Sequence, residues 1–198
     1  MEGFSHIEGY LGEKEQLALV ETLREIVAEA PLYHPQMPRS GRPFSVRMTN
    51  CGTLGWVSDK QGYRYQENHP ASGNPWPTMP EAVQDIWNNL AQFSKEPECC
   101  LINYYDEGAK MGLHRDEDEE DFSAPVVSIS LGDTARFRIG GKDRKDPTRS
   151  FKLSSGDALV MAGPARLAYH GVDRIYPGSS ELLTKGGRLN LTLRRVRP

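Results

Sequence analysis

The stretch GLHRDEDEED, residues 112–121, contains one histidine ahead of six consecutive acids. His114 and Asp116 are two residues apart, so in extended chain both side chains leave the same face and can meet one metal ion. A solvated acidic turn would have the same composition, and His6-Ile7-Glu8 offers a looser version of the spacing, so this pair alone leaves both readings open. A second histidine changes the weight. Two His and one carboxylate on one face of an octahedral Fe(II) leave the opposite positions free for a co-substrate and oxygen. His170, in RLAYHGV several candidate strands downstream, is the candidate for the third ligand; by itself it also fits a hydrogen-bonded core histidine. His34 and His69 sit beside prolines in an irregular region and read as loop residues.

The last apolar stretch, RLNLTLRR, carries a second signal. Leu189, Leu191 and Leu193 alternate with Arg188, Asn190, Thr192 and Arg194, so one face is apolar and the other presents two guanidiniums, an amide and a hydroxyl. Turned outward, that polar face is a solvated edge strand. Turned inward, the two arginines need neutralising, and a dicarboxylate suits them because the guanidinium fork takes a carboxylate bidentately.

These residues need a scaffold. A chain of 198 residues and 22.2 kDa fits a single domain, 1–198, with a core that needs no disulfide. Mean hydropathy is −0.60, and every apolar run is far short of the ~20 residues that span a bilayer, so a soluble protein with no membrane contact is expected. The start, MEGFSHIEGYLGEKEQ, lacks a basic segment followed by an apolar one, which predicts no signal peptide and a cytoplasmic location. Cys51, Cys99 and Cys100 form no CxxC pair, which argues against a disulfide framework and against a zinc ribbon. A net charge of −3 gives no global attraction to nucleic acid, so any such binding needs a local patch. Two segments supply one. Arg39, Arg42, Arg47, Lys60 and Arg64 face a single acid, Asp59, and the tail from Lys185 to Pro198 holds Lys185, Arg188, Arg194, Arg195 and Arg197 with no acid.

EKEQLALVETLREIVAEAP has a helical apolar period closed by Pro31, and PEAVQDIWNNLAQF opens on Pro80 at an expected first helical position. Segments 1–31 and 80–95 are therefore read as supporting helices. Between them, 32–79 is broken by Pro, Gly and Asn into loops and hairpins, a length of irregular chain that is often functional. From 98 to 198 short strands follow: CCLINYY, PVVSISLG, TARFRIG, SFKL, DALVMAG, RLAYHGV and RLNLTLRRV. The expected fold is α+β, a jelly roll braced by helices on one face.

Met48-to-Gly55 with Trp56 (MTNCGTLGW), GYRY, LINYY, GLHRDED, PVVSISLG, the Gly pair of FRIGG, YHGV and RLNLTLR occur in this order from Met48 to Arg194. Together they resemble the AlkB family of Fe(II)/2-oxoglutarate dioxygenases, oxidative demethylases of nucleic acid whose core is a double-stranded β-helix. The resemblance implies that His114, Asp116 and His170 hold Fe(II). It implies that Asn103, Tyr105, Arg188, Asn190 and Arg194 hold 2-oxoglutarate, with Arg188 on the distal carboxylate. The family's reaction consumes O2 and 2-oxoglutarate, releases succinate and CO2, and hydroxylates an N-methyl group that leaves as formaldehyde. Such a base must leave the stack to be reached.

By the same resemblance, 32–79 is a nucleotide-recognition lid. Trp56, Tyr63 and Tyr65 would offer aromatic surface to a flipped base, Trp56 opposite to His114, and Met48 and Arg144 would lie near the substrate strand. Core packing is the alternative for these aromatics. Asp118 matches a carboxylate that reads the exocyclic amino group, which would favour cationic lesions such as 1-methyladenine and 3-methylcytosine. Glu117, Glu119, Glu120 and Asp121 are expected to be solvated. The implied partner is alkylated DNA, single- or double-stranded, bound by a monomer. RNA, including tRNA, is the nearest rival, and a non-oxidative jelly-roll metal protein the next. The chain departs from the bacterial pattern at Met161, where tryptophan is common, at Leu189 and Leu193 in place of tyrosine and phenylalanine, and at Tyr104 in place of arginine.

Overall fold

The computed structural model describes residues 1–198. In chain order the elements are β1 (Phe4–Ile7), α1 (Glu13–Glu29), β2 (Arg47–Gly52), β3 (Gly55–Asp59), β4 (Gly62–Gln66), α2 (Glu81–Leu90), β5 (Cys99–Tyr105) and β6 (Met111–His114). Then come β7 (Val126–Gly132), β8 (Ala135–Ile139), β9 (Arg149–Leu153), β10 (Ala158–Met161), a 3-10 turn, β11 (His170–Ile175) and β12 (Arg188–Arg194). One sheet has six strands in the order β1-β10-β7-β12-β5-β2, a second has four in the order β6-β11-β8-β9, and β3-β4 form a separate hairpin. Non-sequential neighbours on antiparallel sheets make this the expected jelly roll.

The large sheet divides the interior in two. Cys100, Ile102, Val127, Ile129, Leu131, Leu189, Leu191 and Leu193 point to one side, where they pack with Leu19, Val20, Leu23 and Ile26 of α1 and Val83, Ile86 and Trp87 of α2. The alternate residues Met48, Leu101, Tyr105, Val126 and Leu159 point to the other side and meet Phe137, Leu153 and Val172 of the small sheet. Strand periodicity thus sends every second residue to the helix layer and every other one between the sheets. At the start of α1 the Glu15 carboxylate accepts the Gly12 N–H at 2.7 Å, and Glu13 and Glu15 sit at the positive end of the helix dipole.

Several elements differ from the sequence reading. Segment 1–31 also holds β1, which adds an edge to the large sheet against β10. Pro80 is the N-cap of α2, not its first helical residue, and the helix stops at Leu90 where Gln92 takes a left-handed φ of 49°. Within 32–79, β2 is a strand of the large sheet, paired with β5 over Arg47–Gly52, so only the β3-β4 hairpin and its flanking loops stand apart. β6 was hidden in the sequence because it is four residues long and runs straight into the acids. No helix is long and apolar enough to cross a membrane.

Candidate metal and co-substrate site

β6 ends on His114 and β11 begins on His170, and the pairing of these strands puts the two histidines directly opposite each other. Asp116 follows two residues on, and one ligand atom from each of the three lies within 4.8 Å of the others. Each imidazole is held in one orientation. Nδ1 of His114 bonds the Gly112 carbonyl and Nδ1 of His170 bonds the Ala168 carbonyl, both at 2.9 Å. A carbonyl can only accept, so each Nδ1 carries the proton and each Nε2 is left with its lone pair, the tautomer a metal needs. Phe137 stacks on His170 at 5.8 Å between ring centroids.

Electrostatics favours the same chemistry. Burial, reinforced by the neighbouring His114, pushes the His170 pKa down to about 4, so its ring is neutral near pH 7. Burial of Asp116 would raise its pKa, but the Arg194 guanidinium, with His170 and His114, outweighs this and holds the carboxyl well below the usual range. Oδ1 of Asp116 meets Arg194 Nη2 at 2.9 Å, while Oδ2 is buried without any partner. Two free imidazole nitrogens and one orphaned carboxylate oxygen fit a divalent metal, and a two-His-one-carboxylate set with an open side suits Fe(II).

β12 settles which way its polar face turns. It lies between β5 and β7, with Leu189, Leu191 and Leu193 in the helix-side core and Arg188, Asn190, Thr192 and Arg194 between the sheets, so the solvated-edge reading is overturned. Arg188 is 1% exposed. Its Nη2 donates to Ser130 Oγ at 2.9 Å and Asn190 Oδ1 at 3.0 Å, while Nε and Nη1 have no partner and no carboxylate pairs with it. Burial, offset only in part by Tyr105 and the more distant Asp157, brings its pKa down to about 10. An uncompensated buried guanidinium with two idle donors is a costly feature that an anionic ligand would relieve.

The neighbours complete a polar wall. Asn190 Oδ1 also accepts from Ser128 Oγ at 3.0 Å, and its Nδ2 donates to Thr192 Oγ1 at 2.9 Å. Across the ladder Asn103 faces Asn190, and Tyr105 faces Arg188. Asn103 Oδ1 is buried and unpartnered, and burial pushes the Tyr105 hydroxyl up to about 12. Arg194 differs from Arg188: it is already engaged by Asp116 and, at 3.4 Å, by Glu119, and it donates to the Tyr65 hydroxyl at 3.3 Å. Its visible work is to hold Asp116.

A cavity of about 270 Å³ opens over the three candidate ligands. Asn103, Tyr105, Asn190 and Arg194 line it with Met48, while Trp56, Tyr63, Asp118 and Arg144 belong to the same wall; Arg188 and Tyr65 do not line it. Trp56 Nε1 donates to Asp118 Oδ2 at 2.7 Å, Tyr63 stacks on the indole at 5.6 Å, and Phe44 meets it edge-on. Burial, tempered by the Trp56 bond, raises the Asp118 pKa. Arg144 Nη1 donates to the Leu113 carbonyl at 2.6 Å, and its guanidinium lies over Tyr169.

Two sequence expectations need correction. Tyr65 is not open aromatic surface: its ring packs on the inter-sheet core and its hydroxyl is bonded to Glu119 and Arg194. Glu119 is not solvated. It is buried, and its carboxylate takes the Tyr65 hydroxyl and pairs with Arg166 Nη2 at 3.0 Å. Arg166, buried as well, also donates to the carbonyls of Asp116 and Ala124 at 2.8 and 2.9 Å, so it clamps the loop that carries the carboxylate ligand. No signal in GPARLAYH marked Arg166, because an arginine after a Gly-Pro turn reads as surface.

The comparisons agree with this geometry. The family model described as 2OG-Fe(II) oxygenase superfamily matches residues 3–194. The chain is 55% identical, over 98% of its length and 88% of the relative's, to the alpha-ketoglutarate-dependent dioxygenase AlkB homolog of Caulobacter vibrioides. It is 40% identical to alpha-ketoglutarate-dependent dioxygenase AlkB of Escherichia coli, over 90% of this chain and 83% of that one. The solved structure of OsALKBH1 superposes with a TM-score of 0.80 at 30% identity, covering 98% of this chain and 96% of the other. The chain therefore belongs to the 2OG-Fe(II) oxygenase superfamily and, within it, to the AlkB dioxygenases, which use Fe(II), 2-oxoglutarate and O2.

Proposed function

We propose that the protein removes N-alkyl groups from bases of damaged DNA, with 1-methyladenine and 3-methylcytosine as preferred lesions. The observation that carries this reading is Asp118, a carboxylate bonded to Trp56 on the wall of the cavity over His114, Asp116 and His170. An anionic acceptor beside an aromatic face suits a planar, cationic base with an exocyclic amino group.

In this reading His114 and His170, through Nε2, and Asp116, through Oδ2, hold Fe(II), and Arg194 keeps the carboxylate ionised and aimed. Arg188 takes the distal carboxylate of 2-oxoglutarate on its idle Nε and Nη1, steadied by Ser130 and Asn190. Asn103 and Tyr105 offer polar atoms to the same co-substrate. When bound, iron and 2-oxoglutarate supply O2 activation and the oxidising power that hydroxylates the alkyl group, which then departs as an aldehyde. Trp56 and Tyr63 receive the flipped base, and Asp118 binds its amino edge. Arg144 and the cations of 32–79 meet the phosphates. One chain supplies every group named, so a monomer suffices. Three unpaired, buried thiols suit a reducing, cytoplasmic setting.

The test is formaldehyde release from an oligonucleotide bearing one 1-methyladenine, single- and double-stranded, with Fe(II), ascorbate and 2-oxoglutarate omitted in turn. Release that needs both iron and 2-oxoglutarate is expected. Succinate without formaldehyde would move the substrate elsewhere, and a matching methylated RNA oligomer run in parallel shows whether it moves to RNA.

A further inference from the structure

The outer face of the small sheet carries a row of cations that the active site does not use. Phe137 of β8 and Phe151 of β9 face inward and touch each other, which turns Arg136, Arg138 and Lys152 to the outside. In the ladder Arg136 stands directly opposite Arg174 of β11 on one side and Lys152 of β9 on the other. Three adjacent strands therefore present three like charges side by side, spanning about 10 Å at the usual strand spacing. Like charges placed directly opposite destabilise a sheet. A single acid answers them: Asp173, 3.7 Å from both Arg136 and Arg138. Tyr176 lies under Lys152 and Arg174, at 5.4 and 5.9 Å from the ring centre.

The row runs toward the site. Arg138 precedes Ile139, which pairs with His170, and the β8-β9 turn beyond carries Lys142, Arg144 and Lys145 against Asp143 and Asp146, a net of one positive charge. Arg144 lines the cavity. A basic track thus leaves the cavity wall and continues down the outside of the small sheet, on a chain whose net charge is −3. Local cation excess that costs stability and runs from the site is the pattern of a surface kept for a polyanion.

We propose that Arg136, Lys152 and Arg174 bind the phosphate backbone of the DNA strand that continues beyond the base held in the cavity. The proposal rests on the DNA-directed reading above, and it adds a second contact zone that only a longer strand reaches. Three cations across about 10 Å match the axial rise of about three nucleotides of one strand. The zone carries no sequence information and contributes affinity and salt dependence.

The experiment compares the wild type with the triple variant Arg136→Gln, Lys152→Gln, Arg174→Gln, and with Asp173→Asn, whose added net charge acts in the opposite direction. Binding to unmodified 5-mer and 20-mer single-stranded DNA is followed by fluorescence anisotropy across a salt series. For the triple variant, 20-mer affinity should fall about tenfold at low salt and the log-log salt slope by about two, given ~0.7 per phosphate contact. The 5-mer should bind unchanged, and Asp173→Asn should tighten the 20-mer. Equal 20-mer affinity and slope in wild type and triple variant, with both variants folded by circular dichroism, would overturn the proposal. Binding is read without turnover, so failure to demethylate any oligomer would sink the functional reading while leaving this test intact.

Discussion

Trp56 donates its indole N–H to Asp118 across 2.7 Å, which ties the β3-β4 hairpin to the loop that carries the Asp116 ligand. The group that would read the base and the ring that would stack on it are thus one hydrogen-bonded unit. Asp118→Asn keeps an acceptor for Trp56 and removes the charge. Turnover of a cationic 1-methyladenine should fall about 10- to 100-fold relative to a neutral 3-methylthymine, the range for one charge-assisted hydrogen bond. Equal losses on both lesions, in parallel formaldehyde assays, would remove Asp118 from base recognition.

Arg188 offers a test with opposite signs. Arg188→Met should raise the KM for 2-oxoglutarate about 10- to 100-fold, since hydrogen bonds to charged groups contribute roughly 1.5–3 kcal/mol. The same substitution removes a buried charge with no counter-ion, so the melting temperature without ligands should hold or rise. A fall in melting temperature with an unchanged KM would mark Arg188 as purely structural.

Metal should stabilise the fold. Adding Mn(II) as a redox-silent substitute for iron at 100 times its Kd should contribute about 2.7 kcal/mol, read as a rise in melting temperature. Asp116→Ala should abolish that rise and turnover together. A variant that keeps the full thermal shift would exclude Asp116 from the ligand set.

The Glu119–Arg166 pair is buried at both ends. Glu119→Gln or Arg166→Met alone should cost about 3–5 kcal/mol in chemical denaturation, because each strands a buried charge. The double variant should lose less than the two single losses added, and strict additivity would show that the two side chains do not act as a pair.

Cys51, Cys99 and Cys100 are fully buried; burial pushes the Cys99 thiol up to about 12, and the hydrogen bond with Cys51, together with burial, holds the Cys100 thiol well above its ordinary value. A thiol reagent at pH 8 should modify none of them in the native protein and all three in guanidinium. Fast labelling of any one in the native state would contradict that burial.

Much of the core was legible because strands announce themselves by alternation. CCLINYY is β5 residue for residue, and RLNLTLRRV, without its last two residues, is β12; the alternation there shows a polar row holding Arg188 and Asn190 opposite three leucines, although only the fold decides which way that row turns. His114 and His170 needed more: their meeting depends on the β6-β11 pairing, a non-local contact that no window of sequence displays. Glu119 escapes the sequence because nothing in the run of six acids separates it from its solvated neighbours, whereas the chain turns Asp116 and Glu119 inward and leaves Glu117 and Glu120 outside. The partner that makes this possible, Arg166, lies 47 positions away, as a charge whose burial only the fold can reveal. Tyr65 failed similarly. Its hydroxyl belongs to that same buried network, so its sequence neighbourhood, shared with exposed Tyr63, was a poor guide.

The position of β12, bonded on both edges and buried on both faces, bears on how faithfully the enzyme is made. A slip of one residue in its pairing would push Leu189, Leu191 and Leu193 into the polar chamber and drive two guanidiniums into the layer beneath α1 and α2. Such a chain would lose its packing and its co-substrate wall in one stroke. The register that packs the helix layer is thus the same one that sets the polar wall, so the copies that fold are the copies that carry the site, and slipped copies are left to proteolysis.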